Sequence, residues 1–258
     1  MATALVTGAT AGIGHAFVRH LAARGNDLVL VARDTARLTA LKEDLEAQYG
    51  VSAEVFPADL SVAAEVTRVA DRLEDPDRPI DILVNNAGFG LHADLLDKSK
   101  LDLQRRAFDV MVWAVLELSG AAGRAMKARG HGAIINVAST SAWIMSGNYS
   151  AIKSWVLTYT EALALELHDT GIKVTALCPG WVHTEFHDRA NITKTNLPEI
   201  VWVDIDVLVS EALRDNERGK LISIPTFKWK AAIALATYGP KGFIRWFSRR
   251  LSSSRRKK

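Results

Sequence analysis

Ala4-Leu5-Val6-Thr7-Gly8-Ala9-Thr10-Ala11-Gly12-Ile13-Gly14 runs from a short apolar segment through three glycines into a stretch of helical period. A strand that turns sharply into a helix is the simplest fold for this order. The glycines permit a tight turn and leave backbone N–H groups open to approach, while the helix N-terminus that follows carries partial positive charge. Phosphate, and a dinucleotide pyrophosphate in particular, is the ligand such a loop suits. Isolated glycines would also serve an ordinary turn. Here the strand before and the helix after supply the context that the chemistry needs.

Working outward, short aliphatic runs alternate with longer helical ones. Strands are expected at Ala4 to Thr7, Leu28 to Ala32, Ala53 to Phe56, Ile80 to Val84, Ala133 to Val137, Lys173 to Leu177 and Leu221 to Ile224. Helices are expected at Ile13 to Arg24, Ala36 to Tyr49, Ala63 to Leu73, Leu103 to Lys127, Tyr149 to Asp169 and Ile205 to Arg214. Most of the strands are apolar almost throughout, as they must be when helices cover both faces of a parallel sheet. The pattern predicts an α/β, doubly wound Rossmann fold with a seven-stranded parallel sheet, its ligand lying across the carboxyl ends of the strands.

No linker or internal repeat divides the 258 residues. One domain over residues 1–226 is expected, with 227–258 as an aromatic and basic extension of it. A hydrophobic content of 48% beside 24% charged residues is enough for a large core, which argues against disorder outside the termini. The start of the chain lacks the basic and long apolar regions of a secretory leader, so a cytoplasmic protein is expected. The single cysteine, Cys178, ends an apolar run and reads as a buried, inert thiol rather than a nucleophile. Net charge is +3, yet residues 241–258 alone carry eight Lys and Arg and no acid, which leaves −5 for the rest. Nucleic-acid binding is therefore not expected of the body.

The spacing Gly8-x-x-x-Gly12-x-Gly14 differs from the Gly-x-Gly-x-x-Gly of most dinucleotide folds and resembles that of the short-chain dehydrogenase/reductase family. Other motifs similar to that family's follow in order: Asp59-Leu60, Asn85-Asn86-Ala87-Gly88, Tyr149-Ser150-Ala151-Ile152-Lys153, and Pro179-Gly180-Trp181-Val182-His183-Thr184. The resemblance implies cofactor contacts from Gly8, Thr10, Gly12, Ile13, Gly14, Asp59, Leu60, Asn85, Ala87, Gly88, Tyr149, Lys153, Pro179, Gly180, Val182 and Thr184. By the same resemblance Asp59 meets the adenine, Asn85 with the adjacent backbone the adenosine side, and Thr184 with the backbone near Val182 the nicotinamide amide. It also implies a homodimer or homotetramer formed through the two long helices.

The end of the second strand bears on which dinucleotide is taken. A carboxylate there would accept from both ribose hydroxyls and repel a phosphate, but this chain has Ala32 followed by Arg33. A guanidinium suits the 2′-phosphate of NADP(H), although Arg33 also reads as a solvated loop residue.

Hydride transfer to a carbonyl needs a proton donor at the developing alkoxide. Free tyrosine, with a pKa near ~10, is a poor base at neutral pH. Lys153 lies one helical turn after Tyr149, where its ammonium would favour the phenolate. In the family this lysine also binds the nicotinamide ribose. Ser139 aligns with the family serine that supports charge on the substrate oxygen, with Ser141 as a second candidate. The expected catalytic set is Ser139, Tyr149 and Lys153.

Two departures from the family pattern stand out. Only nine residues separate Ser139 from Tyr149, so the loop between them must be tight. Met111 stands where relatives have an asparagine that holds a water linked to the lysine, and a thioether cannot take that role. Two readings of Met111 follow: it packs the site while another group orders the water, or the protein is a catalytically weak NADPH-binding regulator.

The loops after strands four to six supply Phe89 and Leu91, then Trp143, Ile144 and Met145, then Trp181 and Phe186. This lining suits an apolar carbonyl or secondary alcohol of acyl, steroid-like or aromatic kind, though each residue could also be core. His92, His183 and His187 lie near these loops without a second ligand set, so no metal site is expected. Between Phe227 and Phe247 fall six of the 19 aromatic residues, just before the basic tail. That segment reads either as a helix packed on its own domain or a partner, or as peripheral contact with the inner face of a membrane, which would make the chain a peripheral membrane interaction protein.

Overall fold

The computed structural model describes residues 2–91, 93–145, 147–182 and 201–238. Strands β1 (Thr3–Thr7), β2 (Asp27–Ala32), β3 (Ala53–Pro57), β4 (Ile82–Asn85), β5 (Gly132–Val137), β6 (Ile172–Leu177) and β9 (Ile222–Ser223) make one sheet. Its order is β3-β2-β1-β4-β5-β6-β9, and every pair in it is parallel. The seven-stranded doubly wound arrangement expected from the hydrophobic pattern is present. The strand order reverses between β1 and β4, so loops from the two halves diverge there and open a crevice.

Helices α1 (Gly12–Ala22), α2 (Thr35–Tyr49), α3 (Ala63–Glu74), α4 (Leu101–Phe108), α5 (Ala114–Arg129), α6 (Gly147–Glu166) and α7 (Ile205–Glu217) accompany the strands. A last helix, α8 (Phe227–Tyr238), follows β9. The two faces of the sheet bury separate apolar clusters. One packs Val6, Leu28 and Leu30 against Phe17, Leu38 and Leu208, and the other packs Leu5, Val29 and Leu83 against Val69, Leu118 and Met111. Successive residues of β1 and β2 thus feed opposite clusters, which is why these strands are apolar throughout.

Three differences from the sequence expectations have local causes. The helix expected over Leu103 to Lys127 is interrupted by a π-helical turn at Asp109–Trp113 between α4 and α5. The wider turn inserts one residue per repeat and lets Val110 and Met111 both reach the core, a change invisible to periodicity. β4 begins at Ile82 rather than Ile80: Ile80 is buried in the second of these clusters, but the ladder with β1 starts only at Ile82. Two short strands were not expected: β7 (Trp181–Val182) and β8 (Trp202–Val203) pair in parallel, with Trp181 and Trp202 edge to face at 5.9 Å.

Candidate active site

The glycine loop is built so that little but glycine fits. Gly8 leaves β1 at φ 68° with its N–H donated to Val31 O at 2.8 Å, and Gly12 opens α1 at φ 54°. A Cβ on Gly14 would lie 2.2 Å from Gly8 O, so α1 packs this closely on the loop only with glycine there. Ala11 provides no side-chain cap and the first turn holds no acid, which leaves the α1 N–H groups for an anion. Across the crevice, the Asn86 amide donates to Thr7 O at 3.0 Å, and the Thr7 hydroxyl accepts from Asn86 N and Ala87 N at 2.9 and 3.0 Å. The loops after β1 and β4 are thereby locked together. A dinucleotide pyrophosphate fits this cradle.

Arg33 follows β2 at the rim and is exposed. A second guanidinium joins it: Arg37, in the first turn of α2, donates to Thr10 O at 2.9 Å. Arg37 belongs to none of the motifs that the sequence displays. Its signal was a basic residue three positions after Asp34, whose side chain caps α2 by accepting from Arg37 N.

Asp59, after β3, accepts from Ser61 N and Ser61 Oγ at 3.0 and 2.7 Å and from Arg106 Nη2 at 3.1 Å. Burial works to raise its carboxyl, but the Ser61 bonds, with Arg106 and Arg33 nearby, hold it below the usual value. Leu60 beside it is buried. Asn85 has a different role from an exposed cofactor contact. Its side chain is buried and donates to Ser119 Oγ and Asn136 Oδ1, both at 3.0 Å, while Asn136 donates to Thr160 Oγ1 at 3.1 Å. This network ties β4, α5, β5 and α6 together, and leaves the Asn85 backbone as the part it offers to a ligand.

The proton-transfer group assembles where β5 ends. Ser139 is extended at φ −174°, and its Oγ accepts from Ser141 N at 3.0 Å, opening a 3-10 turn at Thr140–Trp143. That turn is how the short loop reaches α6. The Tyr149 phenol, in the first turn of α6, stands close enough to the Ser139 hydroxyl for that group to favour its ionised form. Lys153 is buried, donates from Nζ to Val137 O at 2.8 Å, and sits 5.8 Å from the centre of the Tyr149 ring. Ser141 instead spends its N–H on Ser139 and its carbonyl on Ile144 N.

The electrostatics differ from the simple expectation that the ammonium favours a phenolate. Burial pushes the Tyr149 phenol up to about 12, only partly countered by Ser139, and pushes Lys153 down to about 8. In this state Tyr149 is a protonated donor at neutral pH. Lys153 takes its partner from a backbone carbonyl. Met111 is buried in the π-helical turn, and its Sδ would lie 3.2 Å from a Cβ placed on Gly88, so it packs beneath the loop after β4.

The loop after β6 is pinned to the same end. Thr140 N and Oγ1 both donate to Pro179 O, at 2.9 and 3.0 Å, and Gly180 lies against the Trp229 indole of α8. Val182 is buried in β7. Of the pocket candidates, Leu91 is core beside Met111, Phe89 packs half-buried on the same cluster, and Trp143 packs half-buried on Ala138 and Val156. Met145 is largely exposed. Cys178 is fully buried, and burial pushes its thiol up to about 12, so it stays protonated. Thr184, Phe186, His92, His183 and His187 lie outside the described residues, as do Phe243, Trp246, Phe247 and the basic residues of 241–258. Among the described residues there is no cluster of three or more His, Cys, Asp or Glu side chains placed to hold a metal ion.

Known proteins carry the same architecture. The short chain dehydrogenase family profile matches residues 2–195. Galactitol 2-dehydrogenase (L-tagatose-forming) of Cereibacter sphaeroides is 37% identical over 214 residues, which cover 79% of this chain and 80% of the relative. A short-chain dehydrogenase from Sphingobium yanoikuyae, solved in complex with NADPH, superposes with a TM-score of 0.83 at 35% identity, covering 92% of this chain and 94% of that one. A bulky-bulky ketone specific alcohol dehydrogenase from Comamonas testosteroni superposes with a TM-score of 0.78 at 31% identity, covering 93% of each chain. The crevice between β1 and β4 and the Ser139, Tyr149 and Lys153 cluster thus sit on a shared scaffold, and the chain belongs to the short-chain dehydrogenase/reductase family of oxidoreductases.

Proposed function

We propose that this oxidoreductase transfers a hydride between NADP(H) and an apolar carbonyl or secondary alcohol, of acyl, steroid-like or aromatic kind. The observation that carries the reading is the Tyr149 phenol beside Ser139, with the buried Lys153 one helical turn away and 5.8 Å from the centre of the Tyr149 ring. Bound NADPH supplies the hydride. Ser139 then holds the substrate oxygen and Tyr149 gives it a proton, while Lys153 provides the positive charge that makes this loss less costly. In the reverse direction the same phenol takes the proton up.

Arg33, with Arg37 beside the glycine loop, supports a 2′-phosphate and hence NADP(H) over NAD(H). The backbone around Gly180 and Val182, with Thr184, is assigned to the nicotinamide end. Trp143, Trp181 and the half-buried Phe89 support an apolar substrate. The exposed apolar residues Trp113, Leu116 and Leu165 on α5, the turn before it and α6 support a homo-oligomer built on these helices.

Turnover tests the reading. Purified protein should oxidise NADPH with bulky aromatic or steroid-like ketones, and Tyr149→Phe should lower kcat by about 10²–10⁴-fold while leaving NADPH affinity unchanged. NADPH binding without turnover across such a panel would instead support the regulator reading of Met111.

A further inference from the structure

We propose that α8 and the basic segment after it form a docking surface for an anionic lipid bilayer. The helix presents two apolar faces. One holds it to the body: Trp229 donates from its indole to Val201 O at 3.1 Å and lies against Gly180, and Ile233, one turn on, is buried. Thr226 enters the helix at φ 73°, a strained conformation for a β-branched residue, with its N–H held by Glu211. Lys230 reaches the same carboxylate at 2.5 Å. The orientation of α8 is therefore fixed from two sides.

The opposite face carries Phe227, Ala231, Ala234, Leu235 and Tyr238 at helical spacing. Phe227 is 84% exposed, Leu235 57% and Tyr238 88%. A rigidly anchored helix that turns this much apolar surface outward over three turns has an unmet partner. Charge identifies it. Residues 241–258 bring eight basic side chains and no acid, interleaved with Phe243, Trp246 and Phe247, on a chain whose remainder is net negative. Apolar and aromatic residues beside clustered Lys and Arg match the boundary between acyl chains and anionic headgroups.

A second copy of the chain suits the surface less well, because a two-fold contact through α8 would bring two strongly basic segments together. Nucleic acid would pair with the charges but leave Phe227, Leu235 and Tyr238 unexplained. No helix among the described residues is long and apolar enough to cross a membrane. Trp229 ties α8 to the loop after β6. If the proposed apolar substrate is correct, which this step alone rests on, docking holds the catalytic end beside the phase where such molecules concentrate.

Cosedimentation of the full chain with vesicles tests docking without reference to turnover. Phosphatidylcholine vesicles containing phosphatidylserine should pellet the protein at least about tenfold better than pure phosphatidylcholine, and raised salt should release it. The exposed pair Leu235→Ser with Tyr238→Ser should weaken that binding about tenfold and leave NADPH turnover intact. Failure of the parent chain to pellet with the anionic vesicles overturns the proposal. So does equal pelleting of parent and double variant, which would leave only tail electrostatics. Two further results overturn it: a dimer that the double variant dissociates in the absence of lipid binding, or preference for a duplex oligonucleotide over vesicles at equal phosphate.

Discussion

At the scale of single residues, the site places a lysine where its charge is expensive. Lys153 is buried with its Nζ donated to the Val137 carbonyl, and burial pushes its ammonium down to about 8 from 10.5. Between about pH 8 and 10.5 the unfolded chain holds this proton and the folded chain does not, so stability rises with pH across that window. Tyr149 acts in the other direction: the unfolded phenol ionises near 10 and the folded one near 12, so stability falls from pH 10 to 12. At neutral pH that depression disfavours the charged lysine by about 3 kcal/mol, which the lost bond to Val137 O offsets by about 2 kcal/mol. Lys153→Met should therefore raise the stability of the cofactor-free protein by about 1 kcal/mol at pH 7, with the gain fading by pH 10.5, and lower kcat by about 10²–10⁴-fold. Urea unfolding at both pH values checks it, and destabilisation at pH 7 would show that the Val137 bond outweighs the burial. Ser139, Tyr149 and Lys153 were legible in sequence because their chemistry is local to one strand end and one helical turn. Arg37, Arg106 and the buried role of Asn85 were not, since each depends on a partner that only the fold brings near.

At the scale of elements, legibility follows hydrophobic period. Strands β1, β2, β5 and β6 announce themselves by runs that feed two cores at once, whereas β7 and β8 are two residues each and carry no periodic signal. The π-helical turn at Asp109–Trp113 is hidden for a similar reason, since it shifts the phase of one helix by a single residue. The placement of α8 is the other hidden feature. A Cβ on Gly180 would meet the Trp229 indole at 2.2 Å, and the indole cannot retreat without giving up its bond to Val201 O. Gly180→Ala should cost about 1–3 kcal/mol, as overpacking does. Combined with Trp229→Leu it should cost less than the sum of the two single changes, a coupling of about 1 kcal/mol or more. Thermal or denaturant unfolding of the four proteins measures this. Strict additivity would show that α8 and the loop after β6 are not packed as described.

At the scale of the whole molecule, the crevice between β1 and β4 separates the carboxyl-end loops of the sheet's two halves. Thr7 and Asn86 lock the loops across it, but Arg33 and Arg37 stand on the β2 side and Lys153 and Tyr149 on the β5 side. A dinucleotide lying from the first pair to the second would contact both halves, so binding should stabilise the fold as a unit rather than one loop. At about 100 times its Kd a ligand of the folded state adds about 2.7 kcal/mol. For a domain of this size that corresponds to a rise in Tm of roughly 5–10 °C. NADPH should produce such a shift, and NADH at the same concentration a much smaller one, because its adenosine ribose lacks the phosphate that the two guanidinium groups can meet. Arg33→Ala combined with Arg37→Ala should bring the NADPH shift down to the NADH value while leaving the Tm of the cofactor-free protein within about 1–2 °C, since both side chains are exposed. Equal shifts for the two dinucleotides in the parent chain would remove the basis for NADP(H) preference and return Arg33 to the role of a solvated loop residue.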